Sequence, residues 1–161
     1  MAKTTPDRII LKGDVLHKEL PLEALDVYGV GAITPGMLVQ RTLTNTVEPH
    51  SSAAGEARPI MFAVETESFA SNGIDMGGID DDYDEDGQSV LVAVCPPGTE
   101  VYALLAAGAG NDTTGAGVLL ASNGDGTLRV SSTNPVARSL EDVDNDPGSG
   151  GAAVRIKVEV L

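Results

Sequence analysis

Gln88-Ser-Val-Leu-Val-Ala-Val-Cys-Pro-Pro-Gly-Thr-Glu-Val-Tyr-Ala-Leu-Leu-Ala106 runs into Ala107-Gly-Ala-Gly-Asn-Asp-Thr-Thr-Gly-Ala-Gly117 and then into Val118-Leu-Leu-Ala-Ser-Asn-Gly-Asp-Gly-Thr-Leu-Arg-Val130. Short runs of Val and Leu, each closed by Pro, Gly, Asn or Asp, are the pattern of β-strands joined by tight turns. Pro96-Pro97-Gly98 cannot continue a central strand, because proline has no amide hydrogen for the ladder, so the chain turns there. Asn123-Gly124-Asp125-Gly126 tolerates positive φ between Leu119-Leu120 and Leu128–Val130, which predicts a hairpin. Turns this dense leave little room for helix. The fold class expected is mainly β: a small antiparallel β-barrel or sandwich with long loops and an extended N-terminal arm.

The chain's 161 residues fit one domain, large enough to bury its own core. Hydrophobic residues make up 42% but aromatic ones only 3%, with no Trp, so the core is built from Val, Leu, Ile and Ala. Large rings bury the most area per residue, and 19 Gly raise the entropy lost on folding. Modest protomer stability and a dependence on association with further copies are expected.

The net charge is −14, and six of the ten basic residues (Lys3, Arg8, Lys12, Lys18, Arg41 and Arg58) precede residue 59. The next is Arg129, so everything between is acidic. Phosphate binding needs clustered Lys and Arg, which argues against nucleic acid as a partner and equally against an anionic membrane. Met1-Ala-Lys-Thr-Thr-Pro-Asp7 has no apolar h-region, and no apolar run nears membrane-spanning length, so neither signal peptide nor transmembrane segment is expected. The single cysteine, Cys95, ends a strand with no basic neighbour in sequence to lower its pKa, and reads as a buried structural thiol.

Along the chain, Met1 to Gly13 reads as an arm and residues 14–161 as one β-rich domain. Arg8-Ile-Ile-Leu-Lys12 is a short apolar strand suited to a neighbour's sheet edge. Leu20 to Val27 carries a weak helical turn with Pro21 at its first position. Thr34-Pro35-Gly36-Met37 has the proline and glycine of a type II turn, feeding a strand from Met37 to Leu43. Thr44 to Arg58 reads as loop and Ile60 to Glu65 as a strand of imperfect alternation. Val154, Ile156, Val158 and Val160 alternate with Arg155, Lys157 and Glu159, the clearest period of two in the chain.

Chemistry-bearing patterns are sparse. Asp82-Tyr-Asp84-Glu-Asp86-Gly87 opens like a calcium loop, but its twelfth position is Ala93 where a bidentate Glu should stand. A solvated acidic loop is favoured over a cation site at Asp82, Asp84 and Asp86, because this spacing recurs by chance. His17 and His50, the only histidines, fall in expected exposed loops, and Ser51 and Ser52 beside His50 are no evidence of a triad, whose members meet through the fold. Gly110-Asn-Asp-Thr-Thr-Gly115 has P-loop spacing but lacks the Lys and the following helix, which leaves a flexible surface loop. No cofactor site and no enzymatic activity are expected.

Ala32-Ile-Thr-Pro-Gly-Met-Leu-Val39, then Val90 to Gly108, then Ala137-Arg-Ser-Leu-Glu-Asp-Val-Asp-Asn145 and the terminal Val154-Arg-Ile-Lys-Val-Glu-Val-Leu161 occur in an order and spacing that resembles the capsid decoration (cement) proteins of tailed bacteriophages, of the lambda head-decoration kind. The resemblance implies a β-tulip-like domain, homotrimers at the three-fold positions of the head, and a location on the outer capsid surface after synthesis in the host cytoplasm. It implies the major capsid protein as partner, engaged by an N-terminal arm; in this chain Ile9, Ile10 and Leu11 offer apolar side chains for such a contact, and Lys3, Arg8 and Lys12 offer charges to shell carboxylates. The alternative from another class is a calcium-dependent binding module using Asp82 to Gly87.

Overall fold

Val154–Val160 is the longest strand, and its period of two turns Ile156, Val158 and Val160 into the interior while Val154, Arg155, Lys157 and Glu159 stay partly exposed. The computed structural model describes residues 5–25, 31–65, 78–108, 110–113, 116–145 and 151–161. Among these residues there are thirteen strands and no helix. The first six are β1 (Ile10–Lys12), β2 (Leu16–Pro21), β3 (Leu38–Arg41), β4 (Val47–Pro49), β5 (Met61–Ala63) and β6 (Ser89–Val94). After them come β7 (Glu100–Leu105), β8 (Asp112–Thr113), β9 (Leu119–Ser122), β10 (Leu128–Val130), β11 (Ala137–Ser139), β12 (Val143–Asp144) and β13 (Val154–Val160).

Strands β7, β10, β9, β11 and β13 pair in that order, and β13 pairs back onto β7 from Val154↔Leu105 to Glu159↔Glu100, closing a five-stranded barrel. The pairs are antiparallel except β7 with β10, which is parallel at Leu128↔Leu105. The expected small β-barrel is thus present, and parity requires its one parallel pair: directions that alternate around an odd ring must repeat once. The second sheet, β2-β6-β5-β3-β4, is antiparallel throughout. Its two ends meet where Leu22 bridges Val47 in parallel and the Glu23 amide donates to the Val47 carbonyl at 2.9 Å. A second ring of five strands is thus nearly closed, with its like-directed contact in the same place.

Period two then sorts the core. Phe62 on β5, Ala93 on β6 and Cys95 just after β6 join the cluster that continues through Val101, Leu105, Leu128 and Ile156 of the barrel. The alternate residues Met61, Ala63, Val90 and Val92 face a second cluster with Leu20, Leu22, Ile33 and Tyr83. Both faces of β5 are covered, which is why the Ile60 to Glu65 alternation looked imperfect. One fully buried ring sits in each cluster, Phe62 in the first and Tyr83 in the second. Burying such a ring contributes roughly 1.5–3 kcal/mol, so the few aromatics are spent at the centres.

Turn chemistry carries the chain between the rings. Pro96-Pro97-Gly98 leads from β6 to β7, with Gly98 at φ +90 and its amide bonded to the Val160 carbonyl at 2.8 Å. At Thr34-Pro35-Gly36-Met37 the Met37 amide donates to the Thr34 carbonyl at 3.0 Å, closing the expected turn with Gly36 at φ +95. The helical turn expected from Leu20 is absent: Leu20 and Pro21 end β2, Leu22 forms the bridge, and 26–30 lie outside the described residues.

Gly36→Ala is expected to cost about 2 kcal/mol or more, because an added Cβ would lie 2.9 Å from the Tyr102 carbonyl in a backbone that L side chains rarely adopt. Gly98→Ala shares the positive φ but has nothing within 4 Å of the added carbon, and about 1 kcal/mol is expected. Urea unfolding of both variants beside the parent measures the difference; equal losses would show that the close approach at Gly36 is immaterial.

Candidate functional site

The N-terminal segment is the first place where the fold overrides the sequence. Ile9 is fully buried, its amide donates to Glu65 Oε2 at 3.0 Å, and its carbonyl accepts the Tyr102 amide at 2.7 Å. β1 then pairs antiparallel with β7, Ile10 opposite Val101 and Lys12 opposite Glu100. Ile10 and Leu11 are half-buried, and Lys12 Nζ lies 3.6 Å from Glu100 of the same chain. Ile9, Ile10 and Leu11 are therefore not held free for a neighbour: β7 has an open edge within the chain itself, and the nearest apolar strand fills it. Arg8 is exposed, and Lys3 lies outside the described residues.

In the acidic loop, Asp82, Asp84 and Asp86 are exposed while Tyr83 between them drops into the core. The Tyr83 hydroxyl donates to the Val64 carbonyl at 2.7 Å, and its backbone exchanges two hydrogen bonds with Ile33. Asp86 Oδ1 accepts the Leu25 amide at 2.8 Å, so that carboxylate caps a chain segment. Among the described residues no three His, Cys, Asp or Glu side chains gather closely enough to hold a metal ion. Asp80, just before this loop, ties back to the barrel, since its Oδ1 lies 3.1 Å from Arg155 Nη2.

Arg155 is the residue that sequence reasoning missed most clearly. Read as one polar position of β13, it is a fastener: Nη1 donates to the Pro35 carbonyl at 2.8 Å, Nη2 donates to the Ile79 carbonyl, and the guanidinium sits 5.8 Å from the Tyr102 ring centroid. Only the fold reveals this, because its hydrogen-bond partners are 75 to 120 residues away.

His50 also corrects its expectation of an exposed loop. It is 3% exposed; Nε2 faces the Glu56 carbonyl at 3.2 Å and so carries the proton, leaving Nδ1 to accept the Ser122 hydroxyl at 2.8 Å. Ser122 is fully buried and its oxygen also accepts the Gly124 amide at 3.1 Å. A serine closed off from substrate and already engaged is a strut between β4 and the β9–β10 hairpin. His17, also expected in a loop, lies on β2 and is exposed. The glycine-rich loop is tied down where it is described. Asn111 Oδ1 accepts the Val130 amide at 2.9 Å, and β8 pairs with β12, where the buried Thr113 hydroxyl donates to the Glu141 carbonyl at 3.0 Å.

Two surface features complete the inventory. At the β3–β4 hairpin, Glu23 Oε2 accepts hydroxyls from Thr46, from Thr44 at 3.3 Å and from Thr42 at 3.4 Å. Donation from Thr46 above all, with desolvation opposing it, holds the Glu23 carboxyl below its ordinary range. The tip so braced presents a fully exposed Leu43. Near the start of β2, Leu16, 60% exposed, borders a shallow apolar hollow with Pro59, Pro96 and Pro97. The alternating threonines were a readable signal for the first; nothing local marks the second.

Compared with protein-family models and with curated proteins, the sequence has no significant match.

Cys95 is 4% exposed, and burial pushes its thiol from an ordinary 9.0 up to about 12. Below pH 9.0 folded and unfolded chains both hold the proton; between there and about 12 the unfolded chain releases it first. The stability due to the protonated thiol is thus present below this window and lost as pH rises through it. Thermal melts across the window should show a steeper alkaline decline for the parent than for Cys95→Ala, and alkylation of the native thiol should be slow until the chain unfolds. Parallel pH profiles would remove this account.

Proposed function

We propose that this chain is a non-enzymatic structural protein that binds the outer surface of a tailed-phage capsid and stabilises it, as a homotrimer at three-fold positions with the major capsid protein as partner. The observation that carries this reading is where the decoration-like segments fall. Ala32 to Val39 supplies the Gly36 turn and the start of β3; Val90 to Gly108 supplies β6, the Pro-Pro-Gly turn and β7; Ala137 to Asn145 and Val154 to Leu161 supply β11, β12 and β13. Segments that resemble one family in order and spacing thus supply strands to all three sheets, with β7, β13 and β11 consecutive around the barrel. The buried, engaged states of Cys95, His50 and Ser122 also support recognition rather than turnover.

The physical role follows from linkage. A ligand that binds the assembled shell and not its separated subunits stabilises the shell by mass action. A trimer multiplies weak individual contacts, because the second and third attach at high effective concentration. The reaching element is shorter than the sequence suggested: Ile9 is the anchor, so Arg8 and the residues before it form the segment offered to the shell.

Deleting residues 1–7 is expected to leave the trimer folded and to weaken co-sedimentation with undecorated heads by about tenfold or more. Deleting residues 1–12 is expected to destabilise the chain by removing Ile9 and β1. Full affinity after the shorter deletion would assign attachment to the barrel. A full-length chain that never co-sediments with heads would overturn the function.

A further inference from the structure

Among the described residues β2 pairs with a strand on one side only, β6. Leu22 donates to the Gln88 carbonyl at 2.8 Å, in the register that runs from Leu16↔Val94 to Pro21↔Ser89. Antiparallel pairs exchange hydrogen bonds at every second residue, so Leu16, Lys18 and Leu20 direct their amides and carbonyls at β6. The opposite side of β6 agrees, since Leu91 and Cys95 bond to Val64 and Ile60 there at 3.0 Å. His17 and Glu19 therefore hold N–H and C=O outward, and Pro21 in the same phase offers a carbonyl alone.

This edge borders a cleft of about 620 Å³ that lies between β2 and β1. Val64, Leu91 and Ile10 give it apolar lining, and Asp14, Glu19 and Glu65 set three carboxylates against Arg8 and His17. One oxygen of Glu65 already serves the Ile9 amide, which fixes that carboxylate in the wall.

We propose that this cleft receives an extended, basic segment of another protein as an added strand on β2, hydrogen-bonded at His17 and Glu19. An open edge recognises a backbone, and alternate side chains of the guest reach the apolar lining. Charge selects the guest: Lys or Arg is drawn to the cleft carboxylates and steered there by a chain of net charge −14. The charged side chains of β2 and Pro21 are the features that discourage indiscriminate pairing, so the edge favours a complementary strand over any strand.

The test titrates the full chain with an alternating lysine–valine octapeptide and with its glutamate–valine counterpart. The lysine peptide is expected to bind at least about tenfold more tightly, to weaken with added salt, and to slow hydrogen exchange at the His17 and Glu19 amides. His17→Pro places a second proline in the outward phase that Pro21 already occupies, so the β2–β6 ladder persists while peptide affinity falls about tenfold or more. If that variant does not fold, the parent chain with a lysine–valine peptide N-methylated at alternate residues replaces it, and loss of binding is expected. Equal affinity for the two peptides, unchanged exchange at His17 and Glu19, or full affinity in the His17→Pro variant or for the methylated peptide would each overturn the proposal.

Discussion

The amides of β7 are the constraint around which the chain is arranged. A buried amide without an acceptor costs roughly 1–3 kcal/mol, and β7 is buried from Val101 to Leu105. One edge is satisfied by β13 along its length. On the other, Tyr102 donates to Ile9, Leu104 to Gly36 at 3.3 Å and Ala106 to Leu128 at 2.8 Å, three acceptors from three distant parts of the sequence. The N-terminal strand, the Pro35-Gly36 turn and β10 therefore have to arrive side by side. Gly36 is confined to glycine by that convergence, since an added Cβ would also lie 2.8 Å from Arg155 Nη1. Arg155 then covers the junction from outside, bonded to Pro35 and stacked over Tyr102.

Odd ring size explains the long connections. In a five-membered ring one pair must run in the same direction, and like-directed neighbours cannot be joined by a tight hairpin. Here the parallel pair is β7 with β10, and the chain between them makes the glycine-rich loop, β8 and β9. The second ring repeats the solution, with residues 22 to 47 spanning from β2 to the strand its end bridges. The long connections from β7 to β10 and from β2 to β4 are the consequence of closing each ring with five strands.

What was legible in the sequence was local. Pro96-Pro97-Gly98, Thr34-Pro35-Gly36 and Asn123-Gly124 fix turns through their own φ preferences, and β13 shows its buried face in its own alternation. Cys95 was readable as an inert thiol because its neighbours are apolar. β2 was not, because Leu-His-Lys-Glu-Leu-Pro has neither apolar alternation nor strand formers; an edge strand needs only one phase of amides, and Pro21 stands in the other. Strand pairing across long separations was equally hidden. The same residues that read as a free arm close an edge of their own barrel, and His50 finds Ser122 across 72 residues.

Edge use ties stability to recognition. A chain with few aromatic rings for its core gains by closing its strands into two separate rings, and among the described residues that leaves few edges open. Strand edges left open invite association with any extended chain, including another copy. At β2 the acidic groups beside the edge work against that: a second copy's β2 would bring Asp14, Glu19 and Glu65 toward the same groups on the first, and like charges brought together oppose the pairing. The same carboxylates favour a basic strand. Self-avoidance and partner choice are thus set by one small group of charges, positioned by β1 folding back onto β7 and by Glu65 bonding Ile9. The placement of the N-terminal strand, which the sequence offered to a neighbour, is what forms the wall of this cleft.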